Sequence, residues 1–372
     1  MISRKKCFGL AGSLLVIFLL SSGLEFTYAK RKSINNGLIN STNCETRGVW
    51  VDEIENDGKV NLVIDHIIAA NLNTVFIVSP PIGSNDGWSP KKQFDRFVKM
   101  AYRRGLNVHI WIPNLYRKKD GSQSDFRSAK ERKAQKNWAL ALMKKYKRYV
   151  KGIHFDYIRY YDWESVSAEK LSAVSATINE VTGAVKRKYP DKFVTSTSIS
   201  AQPTWADFGS ESIPQWFRDW YAANPSSIYA TSYSFATVPN YMKYQQDPIG
   251  WLRDTSLDAV MPMQYTVSDT DWQQEVTNWN AFTNYSGKEP TRICQGIGWL
   301  EEAGHPEWGY NAAGVANKIA YGRSQGLKGF VFYELNSGTH DQDLINVLTV
   351  DSADNGNNAP FKNKVQSCFL ER

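Results

Sequence analysis

The sequence predicts an α/β fold, a (β/α)8 barrel with an aromatic-rich insertion after the fifth strand, from three observations. Eight short β-rich runs alternate with longer amphipathic ones across most of the chain. Several helix candidates end at tight turns directly before the next strand, as at Arg104-Gly105-Leu106, Tyr189-Pro190 and Gln325-Gly326-Leu327. An open doubly wound sheet usually carries a Gly-rich phosphate loop after its first strand, and this chain reads Val51-Asp52-Glu53-Ile54 there. With 372 residues, 42% hydrophobic and 22% charged, the composition is globular and excludes collagen-like, disordered and multi-span membrane chains.

The elements follow in order. Residues 46–51 form the first strand, and Val60, Val63, Ile64, Ile67 and Ile68 recur behind it at helical spacing. Residues 73–78 form the second, backed by Phe94, Phe97, Val98, Ala101 and Tyr102. The third, 107–112, is trailed by Trp138, Ala141, Leu142, Tyr146 and Tyr149; the fourth, 152–156, by a helix over 168–188. Residues 193–199, 257–263, 293–297 and 329–333 supply the remaining strands. Between the fifth and sixth strands, residues 201–250 are crowded with aromatic side chains, among them Trp205, Trp216, Trp220 and Tyr233. An insertion there lies on the C-terminal face of a barrel, where active sites of this architecture are found. Its rings can line a glycan cleft or pack into a small core of their own.

The ends of the chain carry separate signals. Arg4, Lys5 and Lys6 precede an apolar run from Phe8 to Leu20 and a Thr27-Tyr28-Ala29 cleavage context, so residues 1–29 are expected to be a signal peptide and the mature protein secreted or periplasmic. The run is too short for a comfortable membrane span. Residues 30–45 form an N-terminal segment, 46–350 the barrel, and 351–372 a C-terminal tail. Charge is unevenly spread: residues 30–200 hold 30 basic and 17 acidic side chains, a net of +13, whereas residues 201–372 hold 11 and 19, a net of −8. No nucleic-acid module accompanies the basic half, so its lysines and arginines are expected on polar helix faces. Cys44 precedes the first strand and Cys368 follows the last helix, which places both near the N-terminal end of the barrel. They are expected to pair and to leave Cys294 free and buried in strand seven.

Asp156 ends the fourth strand on the same face as His154, the position from which a barrel displays catalytic groups. Tyr157, Arg159 and Tyr160 follow at once, and Arg159 is placed to pair with the carboxylate. Hydrolysis of a glycosidic bond needs a second carboxylate, and Glu334, after Tyr333 at the end of strand eight, is the first candidate. Asp52, Glu53, Asp207, Asp269 and Glu301, each near a strand end or in a loop, compete for that role. His109, His154 and Asp156 suggest a metal site only weakly, because no further ligand has diagnostic spacing; no metal and no cofactor are predicted. The chain has no phosphate-binding P-loop, no HExxH zinc motif and no GxSxG elbow.

These residues resemble a known family. Arg47-Gly48-Val49-Trp50, Asn73-Thr74-Val75-Phe76, Val108-His109-Ile110-Trp111, Gly152 through Tyr160 and Val260 through Tyr265 are similar, in order and kind, to the glycosyl hydrolase-like 10 group of exported bacterial barrel proteins. The resemblance spans residues 46–349 and implies a glycosidase acting on a cell-wall or extracellular glycan, with Asp156 as its strand-four aspartate and His109 as its strand-three histidine. The arginine expected at the end of strand two is absent from Val78-Ser79-Pro80-Pro81. A second resemblance, to chitinase-type barrels, rests on Gly152-Ile153-His154-Phe155-Asp156, Met263-Gln264-Tyr265 and Phe332-Tyr333-Glu334. Chitinases place a proton-donating glutamate where this chain has Ile158. The expected function is cleavage of a polysaccharide or oligosaccharide by Asp156 and Glu334. Substrate contacts are expected from His109, Trp111, Asn114, Tyr157, Arg159, Tyr160, Trp205, Gln264, Tyr265 and Trp299. A non-catalytic glycan-binding barrel is the alternative. Neither nucleic acid nor a lasting membrane span is expected among the partners.

Overall fold

The computed structural model describes residues 44–52, 54–80, 90–114, 123–160, 167–199, 245–285, 292–299, 312–335, 340–353, 356 and 358–369. Eight parallel strands alternate with helices as a TIM barrel: β1 (Thr46–Val51), β2 (Thr74–Val78), β3 (Asn107–Pro113), β4 (Gly152–Asp156), β5 (Phe193–Ile199), β6 (Ala259–Met263), β7 (Gln295–Gly298) and β8 (Gly329–Tyr333). They run in the order β6-β5-β4-β3-β2-β1-β8-β7, and a single parallel bridge between Val260 and Ile293 brings the two ends together. The helices are α1 (Asp57–Ala69), α2 (Lys91–Arg103), α3 (Ala129–Tyr146), α4 (Ala168–Lys188), α5 (Pro248–Asp254), α6 (Asp269–Tyr285), α7 (Ala312–Ser324) and α8 (Asp341–Thr349). The aromatic insertion, including Trp205, lies outside the described residues.

Local chemistry sets the helix starts. The side chains of Asn56, Ser128 and Ser167 accept from the backbone N–H three residues on, at 3.0, 3.4 and 3.1 Å, filling one of the donors that a helix N-terminus leaves open. Strand alternation then sorts the side chains. Val49, Val51, Val75, Ile77, Phe330 and Phe332 face the helices, while Trp50, Phe76, Val78, Trp111, Met261 and Val331 fill the barrel interior. In α3 the buried face is Gln135, Trp138, Ala139, Met143 and Tyr146, turned one residue from the expected Ala141 and Leu142. The displacement has a cause: polar Gln135 belongs to the buried stripe and breaks its apolar periodicity.

The tail folds under the barrel. Cys44 and Cys368 are disulfide-bonded across 324 residues and Cys294 is free and buried, as their positions in the chain implied. Glu45 N donates to Gln366 O at 2.9 Å, and Ser367 Oγ lies 3.2 and 3.0 Å from the hydroxyls of Thr46 and Thr74. Phe369 enters the N-terminal end of the barrel itself, with its ring centroid 5.3 Å from that of Phe193 and 5.7 Å from that of His109.

Candidate active site

Asp156 is the last residue of β4, paired in register with Pro113 of β3, so it stands at the C-terminal mouth. The residue is only 4% exposed, and its carboxylate is held from three directions. Thr197 Oγ1, from β5, and the Tyr157 backbone N–H donate to Oδ1 at 2.5 and 2.6 Å, and the Arg159 guanidinium stands 3.5 Å away. Tyr157 makes this possible by taking a left-handed conformation, φ 49°, which costs a non-glycine residue about 1–2 kcal/mol and turns the chain sharply as it leaves the strand. Arg159, three residues after Asp156, then comes back to it and passes 4.7 Å from the centre of the Tyr157 ring.

One layer below, Trp50 Nε1 donates to His154 Nε2 at 2.9 Å. That bond leaves Nδ1 as the protonated nitrogen, and it meets Thr195 Oγ1 at 2.9 Å. Burial, with His109 nearby, pushes the imidazole well below its ordinary pKa, so His154 is a neutral, fully engaged strut. Among the described residues no three His, Cys, Asp or Glu side chains gather into a metal-binding group.

Across the mouth, Tyr265 and Tyr333 stack face to face, with centroids 5.2 Å apart and planes 12° off parallel, and both present edges to Trp50. Burial raises the Tyr265 phenol well above its usual range, and the negative charges of Asp156 and Glu334 add to that shift. Tyr333 feels Glu334 and Asp52 in the same way. Both carboxylates of the expected pair therefore act on one tyrosine platform. Simple alternation would have sent Glu334 outward with Phe330 and Phe332, but β8 ends at Tyr333, so the pleat no longer dictates its direction. Gly298 in β7 lets the Tyr265 segment approach: a Cβ there would stand 2.9 Å from both Tyr265 Cβ and the Tyr265 carbonyl oxygen.

Five of the expected substrate contacts have protein partners of their own in the structure. His109 lies level with Gly152, four residues below Asp156, or about 13 Å along the strand. It packs among Phe76, Phe193 and Phe369, and burial first, then the charges of Lys151 and Lys192, push its pKa down to about 3. Asn114 directly follows Pro113, the residue level with Asp156; it is buried, and its amide nitrogen, with the side-chain amide turned over, donates to the carbonyls of Ile112 and Asp156 at 3.0 and 3.1 Å. Tyr160 packs edge-on against Phe126 and donates its hydroxyl to Asp125 at 2.9 Å, outside the barrel. Trp299 joins the helix-facing core and donates Nε1 to His340 O at 3.0 Å. Gln264, between Met263 and Tyr265, is fully buried and donates to Glu275 Oε2 of α6 at 2.7 Å. Trp111 faces the interior level with His154, one layer beneath Asp156. Asp269, a competitor for the second carboxylate, begins α6 and accepts from Asn317 of α7 at 2.9 Å. Thr197 and Tyr333 are mouth residues that the sequence reading passed over. The β5 run Thr195-Ser196-Thr197 offered a hydroxyl at the right parity for Thr197.

The Gln264–Glu275 contact has a measurable consequence. Burial pushes the Glu275 carboxyl up to about 8. An acid with a raised folded-state pKa contributes stability that is whole below the ordinary glutamate range and lost as pH climbs through about 8. Glu275→Gln keeps a hydrogen-bonding group and removes the titration. Its melting temperature relative to wild type should therefore rise between pH 5 and pH 9; a difference independent of pH would contradict the assignment.

No family model matches the chain, and no curated protein matches it either. Solved structures do. A chitinase from Rhizomucor miehei is similar at a TM-score of 0.51 and 14% identity, over 82% of this chain and 99% of that one. An endo-1,4-beta-mannanase from the same organism is similar at a TM-score of 0.53 and 10% identity, over 81% and 93%. At these identities the likeness is one of fold.

Proposed function

We propose that this protein is a glycoside hydrolase of the glycosyl hydrolase-like 10 type, cleaving a polysaccharide with Asp156 and Glu334. The observation that carries the reading is the mouth itself: a nearly buried carboxylate held by Thr197, the Tyr157 N–H and Arg159, with a second acidic residue, Glu334, directly after Tyr333 of the stacked tyrosine pair. One group protonates the leaving oxygen while the other attacks the sugar or activates water. The tyrosine faces supply an apolar surface for the C–H side of a sugar ring. The chain is proposed to be exported by residues 1–29. Among the described residues no helix is long and apolar enough to cross a membrane.

A glycan-binding barrel without turnover is the second reading, favoured by Ile158. This side chain occupies the chitinase acid position and is fully buried in the helix-facing core. Release of reducing ends across purified glycans, run beside retention on the same glycans, separates the two. Release from at least one retained glycan supports the hydrolase; retention with no release supports the binding barrel.

The platform is tested separately. Tyr265→Ala should weaken glycan binding by about 0.5–1.5 kcal/mol, a few-fold to about tenfold, while Tyr265→Phe keeps the ring and the affinity. Calorimetric titration of the folded variants reads both. Equal affinity in the alanine variant would remove Tyr265 from the binding surface.

A further inference from the structure

Helix α2 carries a row of cations that the chemistry of the mouth does not use. Lys92, Arg96, Lys99 and Arg103 recur at i, i+4, i+7 and i+11, so they share one face of the helix and span about 16 Å along it. They line, with Lys91 and Asp95, an open depression of about 750 Å³ on the barrel flank. Lys145 of α3 joins the row from the side, reaching Asp95 at 2.9 Å.

Two carboxylates oppose these six cations, leaving a local net of +4. Asp57 takes Lys92 and Arg96 at 3.3 and 3.1 Å, and Asp95 takes Lys145 and the Tyr146 hydroxyl. Lys91, Lys99 and Arg103 are exposed and make no ion pair among the described residues. Exposed pairs of this kind are worth at most about 1 kcal/mol, so Lys92 and Arg96 remain available to a ligand. The basic excess of residues 30–200 thus has a concrete place in the fold, and it is a line rather than a scatter.

The ligand must be a polyanion whose charges repeat along a chain. Single-stranded nucleic acids are gripped by a basic groove with rings on which successive bases stack. Here the exposed ring beside the row, Tyr102, is already engaged edge-on by Tyr149 at 5.7 Å, and no second exposed ring flanks it among the described residues. The geometry points to an accessory binding surface on the α2 flank for a linear anionic polysaccharide, one bearing carboxylate or sulfate groups along its length. The surface lies apart from the mouth and holds whether or not the mouth cuts glycan.

The test uses the full chain against four probes: polygalacturonate, dextran sulfate, neutral dextran and a single-stranded oligothymidylate. Wild type should bind at least one of the two anionic polysaccharides, with affinity falling as salt rises, and should ignore neutral dextran. Which one it binds distinguishes carboxylate from sulfate recognition. Lys99→Gln/Arg103→Gln should weaken that binding about tenfold, and Lys130→Gln/Lys133→Gln on α3, which removes the same charge, less than about twofold. Both double variants should melt with wild type, since all four side chains are on the surface. Failure to bind either polyanion, equal weakening by the two double variants, or tighter row-dependent binding of the oligothymidylate would overturn the proposal.

Discussion

Asp156→Asn should lower turnover by about 10²–10⁴-fold on any glycan the protein cleaves, while the protein stays folded and keeps its glycan affinity. The carboxamide matches the carboxylate in shape, so its oxygen still accepts from Thr197 Oγ1 and the Tyr157 N–H, the two short bonds that fix the side chain. What disappears is the charge, and with it any capacity to attack a sugar or activate water. Arg159, 6% exposed, loses one charged contact, at a cost of about 1–3 kcal/mol in stability. Two companion variants separate chemistry from architecture. Glu334→Gln should also reduce turnover, and if it does not, Asp52, directly after β1, is the next carboxylate to test. Thr197→Val keeps the charge but releases one of its holds, so it should lower kcat with KM less affected. Full turnover in Asp156→Asn would refute the assigned mechanism; activity that merely tracks the folded fraction would make Asp156 a structural anchor for Arg159.

The placement of the mouth residues was legible in the sequence because strand alternation is a rigid rule, and placement diverged where that rule was not carried one residue further. Asp156 was placed correctly at the mouth by counting along β4. Gln264 and Tyr265 were both assigned to substrate, yet neighbouring residues leaving a strand point to opposite faces. Tyr265 turns inward to Tyr333, and Gln264 turns outward to Glu275. His109 shares the inward face with Asp156's layer but sits far down the strand, and depth along the barrel axis depends on register between strands, which one sequence does not carry. Asn114 and Tyr160 were invisible as braces because their partners, the Asp156 carbonyl and Asp125, come from elsewhere in the chain. The C-terminal tail was legible through its cysteine alone. The burial of Phe369 inside the barrel had no periodic pattern to announce it.

Breaking the Cys44–Cys368 bridge should destabilise the barrel by about 2–5 kcal/mol. In the chain-entropy view, joining residues 324 apart removes conformations from the unfolded chain, and the effect grows slowly with loop length. The folded state would lose little directly, because the tail is also held by the Glu45–Gln366 backbone bond, the Ser367 hydroxyl and the Phe369 ring. Cys44→Ser/Cys368→Ser should therefore fold and keep its mouth, with a lower melting temperature and a denaturation midpoint at lower denaturant concentration. Reductant should lower the wild-type midpoint toward that of the double variant and leave the double variant unchanged. Phe369→Ala in the oxidised protein probes the other hold: emptying that site costs about 3–5 kcal/mol by leaving a cavity among Phe193 and His109. If the bridge and the ring act through the same closure, the triple variant will lose less than the sum of the separate losses, because a tail already released has no buried ring left to remove. A strictly additive triple variant would instead mean that Phe369 stays seated without the disulfide, and that the bridge acts on the unfolded chain alone.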